Sequence, residues 1–349
     1  MLKIGCFRNL AVLALPLLVT FVGCGGGSTE NAENKITLVL AAYTTPREAY
    51  GKAIIPGFQK YWKEKTGQEV EFRQSYQGSG AQARAVIGGF EADIVALSLA
   101  ADVDKIAHAG LIKHAWTEKP NHGMVSTSIV VLAVRPGNPK NIRDWSDLTR
   151  PGLNILTPDP RTSGGAMWNI CAMYGAALRG FAGVDKSPEA AGQLLSSVFK
   201  NVSIMDKGAR ESITNFEKGI GDVAITYENE VLVGQQAGQE YEYVIPRSTI
   251  LIENPAAIVD VYVDKHGVRE AAEAFLEYLW SADAQRAFAQ YGLRPVDPEI
   301  GKEVETTYPP VQDLWRIDYL GGWPKVTEEI FGPEGVYTRV YQKRHGSSS

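Results

Sequence analysis

Ile36-Thr37-Leu38-Val39-Leu40-Ala41-Ala42-Tyr43 runs straight into Thr44-Thr45-Pro46-Arg47-Glu48, after which Tyr50, Ile54, Phe58, Tyr61 and Trp62 fall at helical spacing. The first stretch is apolar and β-rich and predicts a buried strand, and the later spacing predicts an amphipathic helix. Thr45 and Glu48 stand at capping-box spacing, with Pro46 at the first helical position. Pro56 is expected to kink or split that helix. Outward from this unit the pattern repeats. Val70-Glu71-Phe72-Arg73-Gln74-Ser75 leads through Gly78-Ser79-Gly80 to a helix carrying Ala83, Val86, Ile87 and Phe90, and residues 92–98 form a third strand. The pattern restarts near Ser128, with a strand, a short helix over residues 141–148 and another strand over 153–157. Such alternation predicts an α/β protein in which mostly parallel sheets are flanked by helices. The restart fits two α/β lobes joined by crossing strands.

Size and composition agree with two lobes. The chain has 349 residues, 44% of them hydrophobic and 21% charged, and a net charge of −5. Single cores seldom grow past ~250–300 residues. The mild negative charge carries no footprint of nucleic-acid binding. It also requires that an anionic ligand be held by local dipoles. Lys3 and Arg8 precede an almost wholly apolar stretch over residues 10–22. That stretch is shorter than the ~20 residues that cross a bilayer, and residues 1–23 are expected to be a signal peptide. Phe21-Val22-Gly23-Cys24 resembles a lipobox, so Cys24 is the expected lipidation site. Residues 24–35, with Gly25-Gly26-Gly27, would be a lipid-anchored flexible tether. A plain signal peptide with an incidental cysteine is the alternative. Cys6 leaves with the signal and only Cys171 remains in the body, where one thiol makes neither a disulfide nor a zinc site. It is expected to be a small buried hydrophobe.

The chemistry is expected at four loops that each follow a strand and open a helix: Thr44-Thr45, Gly78-Ser79-Gly80, Ser163-Gly164-Gly165 and Gly208-Ala209-Arg210. Ligands of open α/β sheets bind beyond the carboxyl ends of the strands. A helix start offers unpaired N–H groups and about half a positive charge. Small residues admit an oxyanion to those amides, and a serine hydroxyl adds a donor. One Ser-Gly loop is more often a plain helix cap, and Ser79 with Gln82 also has capping-box spacing. Several such loops divided between two lobes tip the reading toward an anion cleft.

Gln74-Ser75-Tyr76-Gln77-Gly78-Ser79-Gly80, Glu91-Ala92-Asp93-Ile94-Val95, Gly137-Asn138-Pro139-Lys140, Asp144-Trp145-Ser146-Asp147-Leu148, Thr162-Ser163-Gly164-Gly165-Ala166-Met167-Trp168-Asn169 and Gly221-Asp222-Val223 resemble the periplasmic sulfate/thiosulfate-binding proteins of ABC transporters. The resemblance spans nearly the whole body, in order. It implies the two-lobed type II binding-protein fold, closing on a dehydrated sulfate held mainly by backbone amides. Carried over, the ligands are the Thr44 amide, Ser79 with Gly80, the Ser163 hydroxyl, the amides of Gly164, Gly165 and Ala209, and Tyr227. Tyr227 departs from the indole of the enterobacterial proteins, and Thr44 stands where they carry Asp; both changes bear on selectivity between sulfate and thiosulfate. Lobe one is expected over residues 36–127 and 249–306, lobe two over 128–248, with 307–349 wrapping back on the body. The expected partners are sulfate or thiosulfate and membrane permease subunits; nucleic acid, metal and cofactor are not implied, and a monomer is expected.

Sulfate carries no proton at neutral pH, whereas hydrogen phosphate needs a buried acceptor, so an all-donor site favours sulfate. Glu48 is assigned to capping, and Glu211 and Glu228 are expected to face outward. Asp159 and Glu228 are the carboxylates that a different orientation would turn into the cleft. Trp62, Trp145, Trp168 and Trp280 are expected in the core. Enzyme readings lack support, since the sequence has no G-x-S-x-G elbow and no Gly-Lys-Ser/Thr phosphate loop. His108, His114 and His122 do not have metal-ligand spacing.

Overall fold

The structure is a computed structural model that describes residues 35–345. The expected signal peptide, Cys24 and the tether lie outside the described residues. Strand β1 (Lys35–Tyr43) leads to a short helix α1 (Arg47–Ala49), a π-helical stretch (Tyr50–Ile54) and α2 (Ile55–Thr66). Pro56 does not split the helix: Ile54 and Ile55 keep helical dihedrals, and the expected irregularity takes the form of the π-helical stretch just before it. Then follow β2 (Glu69–Gln77), α3 (Ser79–Ile87), β3 (Ile94–Ala96), α4 (Ala100–His108) and the long β4 (Met124–Val134). The short helix expected over 141–148 is a 3₁₀ turn, Trp145–Thr149, capped by Asp144 and Asp147 in a true capping box. The chain continues through β5 (Ile155–Pro158), α5 (Gly164–Leu178), α6 (Pro188–Asn201), β6 (Val202–Asp206), α7 (Ala209–Glu217), β7 (Val223–Tyr227), α8 (Glu228–Gln236), β8 (Glu242–Val244) and β9 (Ser248–Ile258). After β9 come α9 (Asp260–His266), α10 (Arg269–Tyr278), α11 (Ala282–Gln290), α12 (Pro298–Glu303), β10 (Asp313–Trp315), α13 (Gly322–Glu329) and α14 (Val336–His345).

The strands lie in the order β2-β1-β3-β9-β4-β7-β5-β6. Its two wings are parallel, β1 pairing with β2 and β3, and β5 with β6 and β7. Between them β9 runs antiparallel to β3 of wing one, β4 runs antiparallel to β7 of wing two, and the two run antiparallel to each other. Each is 11 residues long, so each serves both wings: β9 meets β4 near Leu251 and β3 near Ala257. Apolar clusters cover both faces of each wing. Phe58, Trp62, Phe275 and Phe288 pack on wing one, whose other face carries Val86, Val103 and Ile106. Trp145, Trp168, Leu195 and Phe199 pack on wing two, opposite Ile213 and Phe216. The segment after residue 307 joins the core of wing two: β10 pairs with β9, and Trp323 meets Trp168 edge-on at 4.7 Å. Trp62, Trp145 and Trp168 are buried, as is Cys171, whereas Trp280 is half-buried with its indole donating to the Met124 carbonyl.

Candidate functional site

Helices α3, α5 and α7 start without a side-chain cap, as α4, α8, α9 and α10 also do. The N-cap residues of α3, α5 and α7 are Gly78, Ser163 and Gly208, and none makes a capping hydrogen bond through its side chain. The first N–H groups of a helix have no partner within it, so a buried, uncapped start needs an acceptor from elsewhere. The starts are buried: Ser79 is 1% exposed, Ser163 3% and Ala209 5%. α5 begins at Gly164, and all but the last of its 15 residues are buried.

The three starts meet. A methyl at Gly165 would lie 3.4 Å from the Ala209 Cβ, the Ser163 Oγ and the Tyr227 ring. One at Gly208 would lie 3.5 Å from Thr44 Oγ1, and one at Gly78 only 2.4 Å from the Thr162 carbonyl oxygen. The Ala81 amide donates to that same carbonyl across 3.2 Å, tying α3 of wing one to the loop before α5 of wing two. Half-buried Gly80 packs against Thr162 O as well, at 3.6 Å for an added Cβ. All eight residues singled out from sequence thus belong to one connected patch between the wings, with Ser79 joined to it through Ser98.

Ser79 does not cap α3 through Gln82. Its hydroxyl donates to Asp102 (2.7 Å) and accepts from the Ser98 amide (3.1 Å), and Gln82 bonds instead with Ser75. Its donor toward the patch is therefore the backbone N–H. Tyr227 OH lies 2.7 Å from Ser98 Oγ, and the Ser98 carbonyl accepts from the Trp168 indole at 2.9 Å. Burial raises the Tyr227 phenol well above its usual value, so it stays protonated. Ser98 was missed in the sequence, although it follows the end of β3, the kind of position that marked the other loops.

The acidic groups correct the sequence reading. Glu48 does not cap α1; it takes Arg210 Nη2 at 2.8 Å, and Thr45 Oγ1 is buried beside the Glu230 carboxylate. Glu228 does not face outward. It is fully buried, and both its oxygens are held by Arg294 at 2.7 and 2.9 Å. Burial raises its pKa, with Arg294 opposing. Asp159 spends both carboxylate oxygens on Arg161. Glu230, also missed, is fully buried 3.0 Å from Arg210 Nη2 without hydrogen-bond geometry. Burial pushes it up to about 7 against the pull of Arg210. The patch presents amides and hydroxyls; of the carboxylates beside it, Glu228, Asp159 and Asp102 are paired, whereas Glu230 is buried beside Arg210 without a hydrogen bond.

From residue 38 to 294 the chain matches the bacterial extracellular solute-binding proteins. It belongs to that family. As a solute-binding protein it is 43% identical to the sulfate-binding protein of Synechococcus elongatus, over 96% of each chain. It is 36% identical to the thiosulfate-binding protein of Pseudomonas aeruginosa, over 90% of this chain and 94% of that one. The sulfate-binding protein SubI from Mycobacterium tuberculosis superposes with a TM-score of 0.76 at 35% identity, covering 83% of this solute-binding protein and 97% of SubI. The fold is accordingly that of the periplasmic binding proteins. No helix among the described residues is long and apolar enough to cross a membrane.

Proposed function

We propose that this protein captures sulfate, with thiosulfate as a second ligand, outside the cytoplasmic membrane and hands it to an ABC-type importer. The observation that carries the reading is the meeting of three buried, uncapped helix starts in a patch lined by donors. Unpaired buried N–H groups cost about 1–3 kcal/mol each, and one oxyanion accepts from several at once. Ser79, Gly164, Gly165 and Ala209 would donate through their amides, Ser163 through its hydroxyl, and Thr44 through its amide from the rim. Hydrogen phosphate would bring a proton that needs an acceptor, and Glu228 and Asp159 are already engaged. The sulfate- and thiosulfate-binding relatives support the ligand class, and the solute-binding family supports a binding role over catalysis.

Residues 36–127 with 249–306, and 128–248, would be the lobes, bending about β4 and β9. A ligand that touches both lobes binds the closed form better and so shifts the population toward it. The monomer, exported by its signal peptide and tethered through lipidated Cys24, would present the closed form to permease subunits. Two measurements test this. Saturating sulfate at ~100 times its dissociation constant raises the stability of the stripped protein by about 2.7 kcal/mol, and Gly165→Val abolishes the rise. A wild-type melting curve that sulfate leaves unmoved contradicts the ligand. Mass spectrometry of the protein from membranes, beside Cys24→Ala, reads the anchor directly.

A further inference from the structure

Ser98 lies at the centre of the patch. It is 1% exposed, and its backbone is fixed on both sides: its amide donates to Ser79 Oγ, and its carbonyl accepts from Trp168 Nε1 and, at 3.3 Å, from Asn254 Nδ2. Its side chain touches the tip of α5, since a methyl at Gly164 would sit 2.7 Å from Ser98 Oγ. Across the gap between the wings that Oγ meets Tyr227 OH at 2.7 Å, and Tyr227 is also 1% exposed, its ring against Gly165.

Two hydroxyls have two protons, and the bond between them uses one. No protein acceptor takes the second proton among the described residues: the only hydrogen bond of either hydroxyl is the one they share. Asp102, the carboxylate nearest to Ser98 in the hydrogen-bond network, is engaged by Ser79 and Lys105. The neighbouring groups at the α5 start are N–H donors. A buried pair with a surplus proton beside a cluster of donors is matched by an acceptor-only ligand.

We propose that Ser98 and Tyr227 form a two-hydroxyl relay that presents one O–H donor to the bound oxyanion, which makes Ser98 a binding residue of the site. This rests on the sulfate reading above. Either direction of the shared bond delivers one outward proton: Ser98 to Tyr227 to the anion, or Tyr227 to Ser98 to the anion. Sulfate, which only accepts, satisfies that outward proton.

The test is calorimetric titration of wild type, Ser98→Ala, Tyr227→Phe and the double variant with sulfate at neutral pH. Melting curves of the ligand-free proteins establish that each is folded. A hydrogen bond to a charged group corresponds to about a tenfold change or more. Each single variant is expected to lose about that much sulfate affinity, and the double variant little more than the worse single, because the pair acts as a unit. An unchanged Ser98→Ala variant, an unchanged Tyr227→Phe variant, or losses that multiply in the double would each overturn the relay. Wild type that fails to bind sulfate would instead overturn the sulfate reading and the relay with it, an outcome distinct from variant effects on a working site.

Discussion

Gly164 shows how tightly single residues define the site. An added methyl would lie 2.7 Å from Ser98 Oγ and 2.8 Å from the Leu99 side chain. Both neighbours are fully or nearly buried and have no room to withdraw. Gly164→Ala should therefore push α5 away from Ser98 and lower sulfate affinity by about fivefold to a hundredfold, as overpacking of about 1–3 kcal/mol would. Calorimetry checks this; retained affinity would mean that the α5 tip does not contact the anion. At this scale the glycines and serines stood out in the sequence only because several strand-to-helix loops with small residues recur along the chain; one such loop is more often a plain cap. Ser98, Glu230 and the true partners of Ser79 did not stand out. Ser79 hydrogen-bonds Asp102, and Glu48 pairs with Arg210, 162 residues away. A tertiary partner outcompeted the local cap in each case, and spacing alone does not reveal such partners.

Elements are held to one another by charge as well as by packing. Arg210 at the start of α7 reaches Glu48 of α1 at 2.8 Å and the Thr45 carbonyl at 3.3 Å, so it links wing two to wing one beside the patch. Glu48→Gln keeps the shape and removes the charge. The pair is partly exposed, 22% on each side, which discounts it to about a three- to tenfold loss of affinity. The loss should appear in the dissociation rate, measured by stopped flow, and an unchanged rate would remove the bridge from the closed form. A second junction lies at the end of α9. His266 Nδ1 is 2.8 Å from Asp93 Oδ1 and Nε2 is 3.0 Å from Glu91 Oε2, while Lys265 also pairs with Glu91 and Tyr262 stacks on the ring. Asp93, and then Glu91, raise the pKa of His266. A raised histidine stabilises the fold fully below its unfolded value of about 6.5 and loses that contribution as pH rises through its folded value. His266→Gln should thus lower the melting temperature more at pH ~6 than at pH ~9. An equal loss at both would contradict the charged cluster.

For the whole molecule, the α/β class was legible because strand and helix periods differ and alternate along the chain. The two long antiparallel strands were less so, since an apolar run such as Ile129–Val134 gives no direction. The burial of Glu228 was hidden for a similar reason: its neutralising partner, Arg294, lies 66 residues onward. The joining of the last segment to wing two through Trp315, Trp323 and Tyr337 likewise depends on contacts that sequence order does not display. Once these are in place, the architecture concentrates uncapped helix starts from both wings on one spot, and a ligand there gains contacts from both. Calorimetric titration of the ligand-stripped protein with sulfate, followed by thiosulfate and phosphate as competitors, tests that claim most directly. One-to-one binding of sulfate that thiosulfate displaces and phosphate does not is the expected result; no heat with sulfate and a clear response to another oxyanion would contradict it.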